Sequence, residues 1–508
     1  MIDLDDKIET LKRIIKEEWE KSNTPGLAVG ILSNGELVDS LCFGYANLEA
    51  QDKVDEDTVF MWGSITKPFT TVSLMQQYEK GKFKLDDPVN KYLPNDHGKI
   101  QVKKGWPEVT FRHLLTHNSG IGELRRFKDI FKHGFRLLSY DNEPVPPLSS
   151  LHRLALPTTA PAGQKYAYSN IGYSLLGYIV ELLSGERFRD YIVNHIFDPL
   201  GMKNSDMIRS KRVKGKEAKG YKYKKGEHEK AKRWNNIIKP SGALLSNIND
   251  MVKFAKMLNN RGSLNDVQIL KEETVELMWK PHYASHEAFK DHYYMGFDFF
   301  IYNMNGHRVI EHTGGIGGFT AVFTLLPDED IAFTICANLH EALSKRVTRK
   351  IRNRFLKVLT EIPKDPDKVI DEDLIPKKEY WPMITGYYGG YPGWLSNTRI
   401  YLEGGDFKVS EKRGKLYLSS LYGDLRKKKR LYPTTHPLVY QFKQESDSGD
   451  IFPTTRVGFT INEEKDDVKE IGIHFLKMRK MSFYATMRFK LYFWIVLVII
   501  IVLLGILL

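Results

Sequence analysis

Cysteine is nearly absent: Cys42 and Cys336 are the whole complement in 508 residues. So few thiols exclude a disulfide-stapled scaffold. Each lies inside a strand-like run, which reads as two buried free thiols, with a single disulfide between them as the alternative. No His/Cys cluster has metal-ligand spacing, and no glycine-rich loop leads into a lysine as phosphate binding requires. No cofactor is therefore expected. The aromatics, residues 299–302 among them, are not interleaved with basic residues as in nucleic-acid readers, so no nucleic-acid partner is expected. The first residues, Met1-Ile2-Asp3-Leu4-Asp5-Asp6, are acidic and lack the apolar core of a signal peptide.

What is present is a long globular chain. A hydrophobic fraction of 42% belongs to folded protein, and 508 residues suffice for two or more domains. The net charge of +12 concentrates in residues 211–233 and in Arg426-Lys427-Lys428-Lys429-Arg430. These are either solvated basic faces or contacts for anionic headgroups.

Three motifs carry chemistry. In the first, Met61-Trp62-Gly63-Ser64-Ile65-Thr66-Lys67-Pro68 runs into apolar residues at Phe69, Val72, Met75 and Tyr78, the spacing of a buried helix. Ser64 then stands at the helix N-terminus with Lys67 one turn on and on the same face. Pro68 fits there because first-turn N–H groups have no intrahelical partner. A serine hydroxyl becomes nucleophilic when a neighbour takes its proton, and a desolvated lysine can do so. Alone, the pair reads more simply as a capping serine and a solvated lysine.

In the second motif a Pro/Gly turn leads through Tyr168-Ser169-Asn170 into an apolar stretch, residues 171–183, closed by Gly185. Tyr168 at this loop–helix junction can present its phenol as a general base beside a cationic lysine. Tyr140-Asp141-Asn142 is a rival of the same form, in a proline-rich loop with no helix behind it. The third motif is His312-Thr313-Gly314-Gly315, between strand-like runs, with a hairpin turn at Pro327-Asp328-Glu329-Asp330 farther on. Small residues after His312 let a substrate backbone approach the strand edge. The N–H groups of Gly315 and Ser64 would form an oxyanion hole.

Taken together, these motifs resemble the serine β-lactamase and penicillin-binding-protein superfamily, in its class C β-lactamase, DD-peptidase and esterase branch. Also similar are Thr110-Phe111-Arg112-His113-Leu114-Leu115-Thr116-His117-Asn118-Ser119-Gly120-Ile121, Phe197-Asp198-Pro199-Leu200-Gly201-Met202 and Ser241-Gly242-Ala243-Leu244-Leu245-Ser246. The likeness spans roughly residues 20 to 355. It implies acyl transfer: Ser64 attacks a carbonyl, Lys67 and Tyr168 share the proton, Asn170 bonds Lys67 or a substrate amide, and water deacylates the serine. His312, Thr313 and Gly314 would line the cleft. Many β-lactamases carry lysine where this chain has His312, so the resemblance implies an esterase or D-amino-acid-directed peptidase before an efficient β-lactamase. The alternative is an acylated receptor without turnover, or a membrane scaffold with the same fold. Nothing in the sequence sets the acyl substrate or the oligomeric state.

The expected fold class is α/β (α+β): an antiparallel sheet flanked by helices with a helical subdomain, then a small all-β barrel-like domain and a C-terminal transmembrane helix. Residues 1–22 form an amphipathic helix packed on the catalytic domain, 23–362. A linker, 363–378, rich in proline and charge, leads to an all-β domain, 379–476, which resembles the lipocalin-like barrel of several relatives. That module either shapes substrate access or assembly or is a packing module. A basic juxtamembrane segment, 477–490, precedes an apolar run, 491–508, long enough to span a bilayer. A buried core helix is the alternative. By the positive-inside rule the soluble domains are expected on the cytoplasmic side, with the bilayer as a partner.

Overall fold

Asn34 and Gly35 both take positive φ, 49° and 71°, the conformation a two-residue hairpin turn demands. They return strand β1 (Gly26–Ser33) into β2 (Glu36–Asn47). The structure, a computed structural model, describes residues 5–94, 99–121, 138–140, 147–153, 156–232, 234–236, 239–341, 346–362, 369–390, 405–422, 424–444, 454–462, 467–474 and 476–493. The chain divides into two compact units, Met1–Tyr283 with Asp291–Ile362, and Ala284–Lys290 with Pro363–Ser446 and Phe452–Leu508.

In the first unit the hairpin joins a sheet of eight strands. β3 (Asp52–Lys53) lies beyond β2, and a separate short strand, β4 (Phe60–Gly63), pairs with β5 (Leu244–Ser246). The rest of the sheet comes late in the chain: β6 (Tyr293–Met295), β7 (Phe300–Met304), β8 (His307–Ile316), β9 (Phe319–Leu326) and β10 (Ile331–Ala337). Their order is β6-β7-β8-β9-β10-β1-β2-β3, and the pairings are antiparallel, as expected from the hairpin signals. Every residue of β1, β9 and β10 is buried, so these strands are covered on both faces.

Cys42 and Cys336 both pair with Ala28, on opposite sides of β1. A whole strand separates them, about 10 Å at ordinary strand spacing, and both are free thiols.

Helix α1 (Asp5–Glu20) lies over this sheet, its Trp19 ring 5.3 Å from Phe43 of β2. Helix α2 (Thr66–Glu79) is the central buried element, with Phe69 stacked at 3.7 Å on Phe254. Helix α3 (Phe111–Leu115) is a single capped turn, and α4 (Asn170–Ser184) packs beside α2. Ser169 caps α4 by accepting from Gly172 N, and Gly185 ends it at φ 78°. Helix α5 (Ile248–Asn259) and α6 (Val347–Leu359) complete the layers used below. Glu17 and Glu18 of α1 both bind Arg354 of α6.

The second unit contains a closed eight-stranded barrel running from Gly386–Gly389 to Leu476–Met481, whose first and last strands pair. Its interior is filled by Trp381, Tyr388, Phe407, Leu418, Tyr440, Phe442 and Phe459 among others, as an eight-stranded barrel of this size allows. Two expectations change here. The basic residues Lys477, Arg479 and Lys480 lie on the closing strand rather than in a juxtamembrane segment, with Lys477 paired to Glu470. Residues 284–290, read as part of the catalytic domain, belong to this unit: His286 Nε2 lies 3.1 Å from Phe459 O, its ring against Gly458. Among the described residues no helix is long and apolar enough to cross a membrane. The apolar run expected to do so, 491–508, lies outside the described residues from 494 onward.

Candidate active site

Ser64 occupies the turn between β4 and α2, one residue before the helix cap at Ile65. Lys67 is in the first turn, and its backbone N–H donates to Ser64 O at 3.0 Å. The lysine is completely buried, and its Nζ lies 3.1 Å from Ser64 Oγ and 2.7 Å from Ser241 O. The segment that offers that carbonyl is pinned to the same turn. Thr66 Oγ1 accepts from Leu244 N at 2.9 Å and donates to Gly63 O at 2.6 Å, while Thr70 Oγ1 donates to Pro240 O. Trp62 Nε1 donates to Ser246 O at 2.9 Å. The polar side chains of this buried helix thus fix where the lysine amine can go.

Tyr168 lies beside this amine, its ring centroid 4.7 Å from Lys67 Nζ. Asn170 opens α4 two residues later. The rival Tyr140 lies in a short strand, Leu138–Tyr140, paired with Trp234–Asn236, and Asp141 and Asn142 lie outside the described residues.

The His312 motif lies on a strand. β8 continues through His312, Thr313, Gly314 and Gly315, and the turn comes afterwards at Gly317 and Gly318, φ 47° and 95°. Two glycines make this strand edge fit against β4. A Cβ on Gly314 would stand 2.0 Å from Trp62 O, and one on Gly63, itself at φ 56°, would stand 2.9 Å from Gly315 N. The Gly315 backbone nitrogen is therefore held beside the Gly63–Ser64 turn.

Alternation along β8 sends neighbouring side chains to opposite faces. Glu311 pairs with buried Arg352 of α6 at 2.9 Å. His312 instead approaches Asp298, with Nε2 3.4 Å from Oδ1. The same Asp298 oxygen lies 3.1 Å from His117 Nε2, and His117 Nδ1 accepts from Ser169 N at 3.1 Å. Burial, the largest influence, drives the His117 pKa down to about 4. For Asp298 burial acts upward, but the nearby His312 and the hydrogen bond from His117 outweigh it and hold the carboxyl below its ordinary value.

The structure thus brings Ser64, Lys67 and Tyr168 together and sets Gly314 and Gly315 against the Ser64 turn. Sequence reasoning missed Asp298 and the use of His117. An acid inside the apolar run Met295-Gly296-Phe297-Asp298-Phe299-Phe300 was the available signal. Among the described residues no group of three or more His, Cys, Asp or Glu side chains could hold a metal ion.

The family model described as beta-lactamase matches residues 11–356. Protein flp of Staphylococcus aureus (strain MW2) is 21% identical over 352 residues, covering 69% of this chain and 67% of its own. The putative penicillin-binding protein PbpX of Bacillus subtilis (strain 168) is 31% identical over 194 residues, 38% of this chain and 44% of that protein. An octameric penicillin-binding protein homologue from Pyrococcus abyssi superposes with a TM-score of 0.58 at 26% identity, over 93% of this chain and all of that one. The crystal structure of SurE, at 19% identity and a TM-score of 0.61 over 93% of this chain and 98% of that one, shares the fold. A serine–lysine pair at the mouth of a buried helix, an antiparallel sheet and a family match over most of the first unit lead to one conclusion: the chain belongs to the β-lactamase family, within the serine β-lactamase and penicillin-binding-protein superfamily.

Proposed function

We propose that the protein is a serine hydrolase that works through an acyl-enzyme on an ester or amide, as an esterase or D-amino-acid-directed peptidase before an efficient β-lactamase. The observation that carries this reading is the 3.1 Å approach of a fully buried lysine amine to the Ser64 hydroxyl at the mouth of α2. Ser64 Oγ attacks the substrate carbonyl carbon as its proton passes to the Lys67–Tyr168 pair. The carbonyl oxygen becomes an oxyanion and takes the N–H groups of Ser64 and Gly315. Collapse of the adduct breaks the bond to the leaving group, which receives the proton, and Ser64 keeps the acyl group. Water, activated by the same pair, then releases the acid. His312 in place of a fixed lysine cation favours esters and small amides over β-lactams.

The apolar run 491–508 serves as a membrane anchor in this proposal. Arg488 and Lys490, just before it, assign the folded units to the cytoplasmic side. Membrane fractionation followed by protease protection tests this, and a freely soluble full-length chain would remove the anchor.

Hydrolysis of a short-chain p-nitrophenyl ester and of a chromogenic cephalosporin by the full-length chain, beside Ser64→Ala, tests the chemistry. Ester turnover that requires Ser64, with little lactam cleavage, supports the reading. A stoichiometric acyl-Ser64 that never hydrolyses would replace it with an acylated receptor.

A further inference from the structure

Six of the thirteen large hydrophobic side chains exposed among the described residues fall within eleven positions of the sequence: Phe483, Tyr484, Met487, Leu491, Tyr492 and Phe493. The other seven are spread between Leu37 and Ile375. Those near the end form one patch on the second unit. Phe489 joins them, its ring centroid 5.1 Å from Tyr484, 5.5 Å from Phe483 and 6.3 Å from Phe493. Phe483 in turn lies 5.3 Å from Tyr387, on the first strand of the barrel. A contiguous exposed aromatic patch of this kind marks an interaction surface.

The patch is built on a fixed join. Residues 487–493 are helical. Thr486, fully buried, caps them, its Oγ1 accepting from Phe489 N at 3.1 Å. Two further first-turn donors are met from elsewhere in the barrel: Arg488 N donates to Asp406 Oδ2 at 2.9 Å, and the Met487 N–H bonds the same carboxylate. Asp406, 2% exposed, directly precedes the barrel strand Phe407–Lys412. The helix therefore starts from the barrel wall and not from a tether. Residues 490–493 cover more than one full turn and all four are exposed, so the helix leaves the barrel instead of packing along it.

Two occupants suit such a patch, a second copy of the chain and a lipid surface. Residues 477–493 hold five basic side chains, Lys477, Arg479, Lys480, Arg488 and Lys490, and no acidic one. A two-fold contact between copies would set this basic stretch against itself. Rings and cations side by side instead match the headgroup level of a bilayer, with the rings at the interface and the cations toward anionic lipid. The sequence then continues from Phe493 into fifteen residues without a polar side chain, 494–508.

We propose that this end of the barrel is a membrane-docking surface. Phe483, Tyr484 and the helical turns up to Phe493 sit at the headgroup level of a bilayer that carries anionic lipid. Asp406 and Thr486 lock the helix, so that the barrel itself is held on the lipid. The hairpin turn at Arg413 and Gly414, roughly 20 Å along the strand from Asp406, then faces away from the bilayer. This deepens the membrane-anchor reading of residues 491–508 and rests on it.

The test places a fluorophore on Tyr484→Cys, or on Arg413→Cys as the control, in the full-length chain. Labelling is brief, so that Cys42 and Cys336, whose thiols burial raises, stay unreacted. The protein is mixed with phosphatidylcholine vesicles, with or without phosphatidylglycerol, that contain a lipid bearing a nitroxide quencher near its headgroup. Flotation with the vesicles reads the anchor, and quenching reads the docking. The label at position 484 is expected to be quenched, more strongly with phosphatidylglycerol, while the label at 413 stays bright. Asp406→Ala removes the acceptor of the Met487 and Arg488 N–H groups, and is expected to float as before with quenching at 484 reduced. A chain that floats with the 484 label bright, or with both labels quenched alike, overturns the docking and leaves the anchor standing. Self-quenching at 484 that grows with protein density, without quenching by lipid, gives the patch to a second copy and overturns the proposal. A chain that does not float overturns both readings. Undiminished quenching in Asp406→Ala removes the lock, and if that variant does not fold, the two labels in the otherwise unchanged chain still decide the docking.

Discussion

Replacing Gly314 by alanine adds one methyl group, and its effect can be worked from distances. The new Cβ would stand 2.0 Å from Trp62 O, whereas an ordinary carbon–oxygen contact is about 3.3 Å, so the two strands must part by roughly 1.3 Å. β4 cannot yield easily. Trp62 is fully buried, its indole N–H is bound to Ser246 O, and its strand is paired with β5. The movement therefore falls on β8 and carries the Gly315 N–H away from the Ser64 turn. A displacement near 1 Å costs about 10²-fold in rate, and loss of one oxyanion donor about 10²- to 10³-fold in kcat. The accompanying overpacking costs about 1–3 kcal/mol of stability, less than a typical domain possesses. The assay is p-nitrophenyl ester hydrolysis by Gly314→Ala beside thermal melting followed by circular dichroism. A folded variant with kcat within about threefold of wild type would refute the placement of the oxyanion hole.

Lys67→Met retains the volume of the buried stem and removes the amine that bridges Ser64 Oγ and Ser241 O. Ester kcat/KM is expected to fall about 10²- to 10⁴-fold, and near-wild-type turnover would exclude Lys67 from the proton path. Arg352→Met leaves the buried Glu311 carboxyl without its guanidinium partner, costing about 3–5 kcal/mol in urea unfolding, whereas removing both side-chain partners together should cost less. A double variant as unstable as the single one would contradict this. Stability should also fall in acid. His117 and His282 are each held near a pKa of about 4, by burial first, against an unfolded value of 6.5. Between these values the unfolded chain binds more protons, so stability is full above about pH 6.5 and declines as the pH falls toward 4, by roughly 3 kcal/mol for His117. An unchanged urea midpoint across that window would disprove the neutral burial of His117. Burial pushes the Cys42 thiol up to about 12 and raises that of buried Cys336 as well, so thiol reagents should modify the folded chain slowly and both sites at once on unfolding.

Elements written in short-range signals were legible. Asn34-Gly35 encodes the first hairpin because both residues accept positive φ, and Ser169 and Gly185 bracket α4 because a hydroxyl cap and a left-handed stop are local devices. The stretch after His312 was legible as a strand edge, but one reason for its glycines was not, because it depends on contacts from another strand. Gly314 is small because Trp62 O lies against it, a reason that exists only once β4 is in place. The segment from Leu476 to Met481 misled for a related cause. Basic residues alternating with apolar ones suit a juxtamembrane cluster and an edge-to-edge barrel strand equally well, and burial of Met478 in the barrel core decides between them.

The candidate site divides in the same way. Ser64 and Lys67 are three residues apart, so helix geometry alone sets the hydroxyl near the amine, and sequence can show it. The groups that decide what those residues do come from far along the chain: Ser241 is 174 positions from Lys67, and Asp298 is 181 from His117. No periodicity links such partners, because their meeting depends on strands and helices that fold independently of the motif. The consequence reaches the chemistry itself. Read in its own segment, His312 is a lone histidine at the head of a glycine-rich stretch. In the fold its Nε2 lies 3.4 Å from Oδ1 of a buried carboxylate that also faces His117 Nε2 at 3.1 Å. The surroundings of the strand that would receive substrate are therefore a property of the fold around Asp298 and not of the motif that first drew attention to His312.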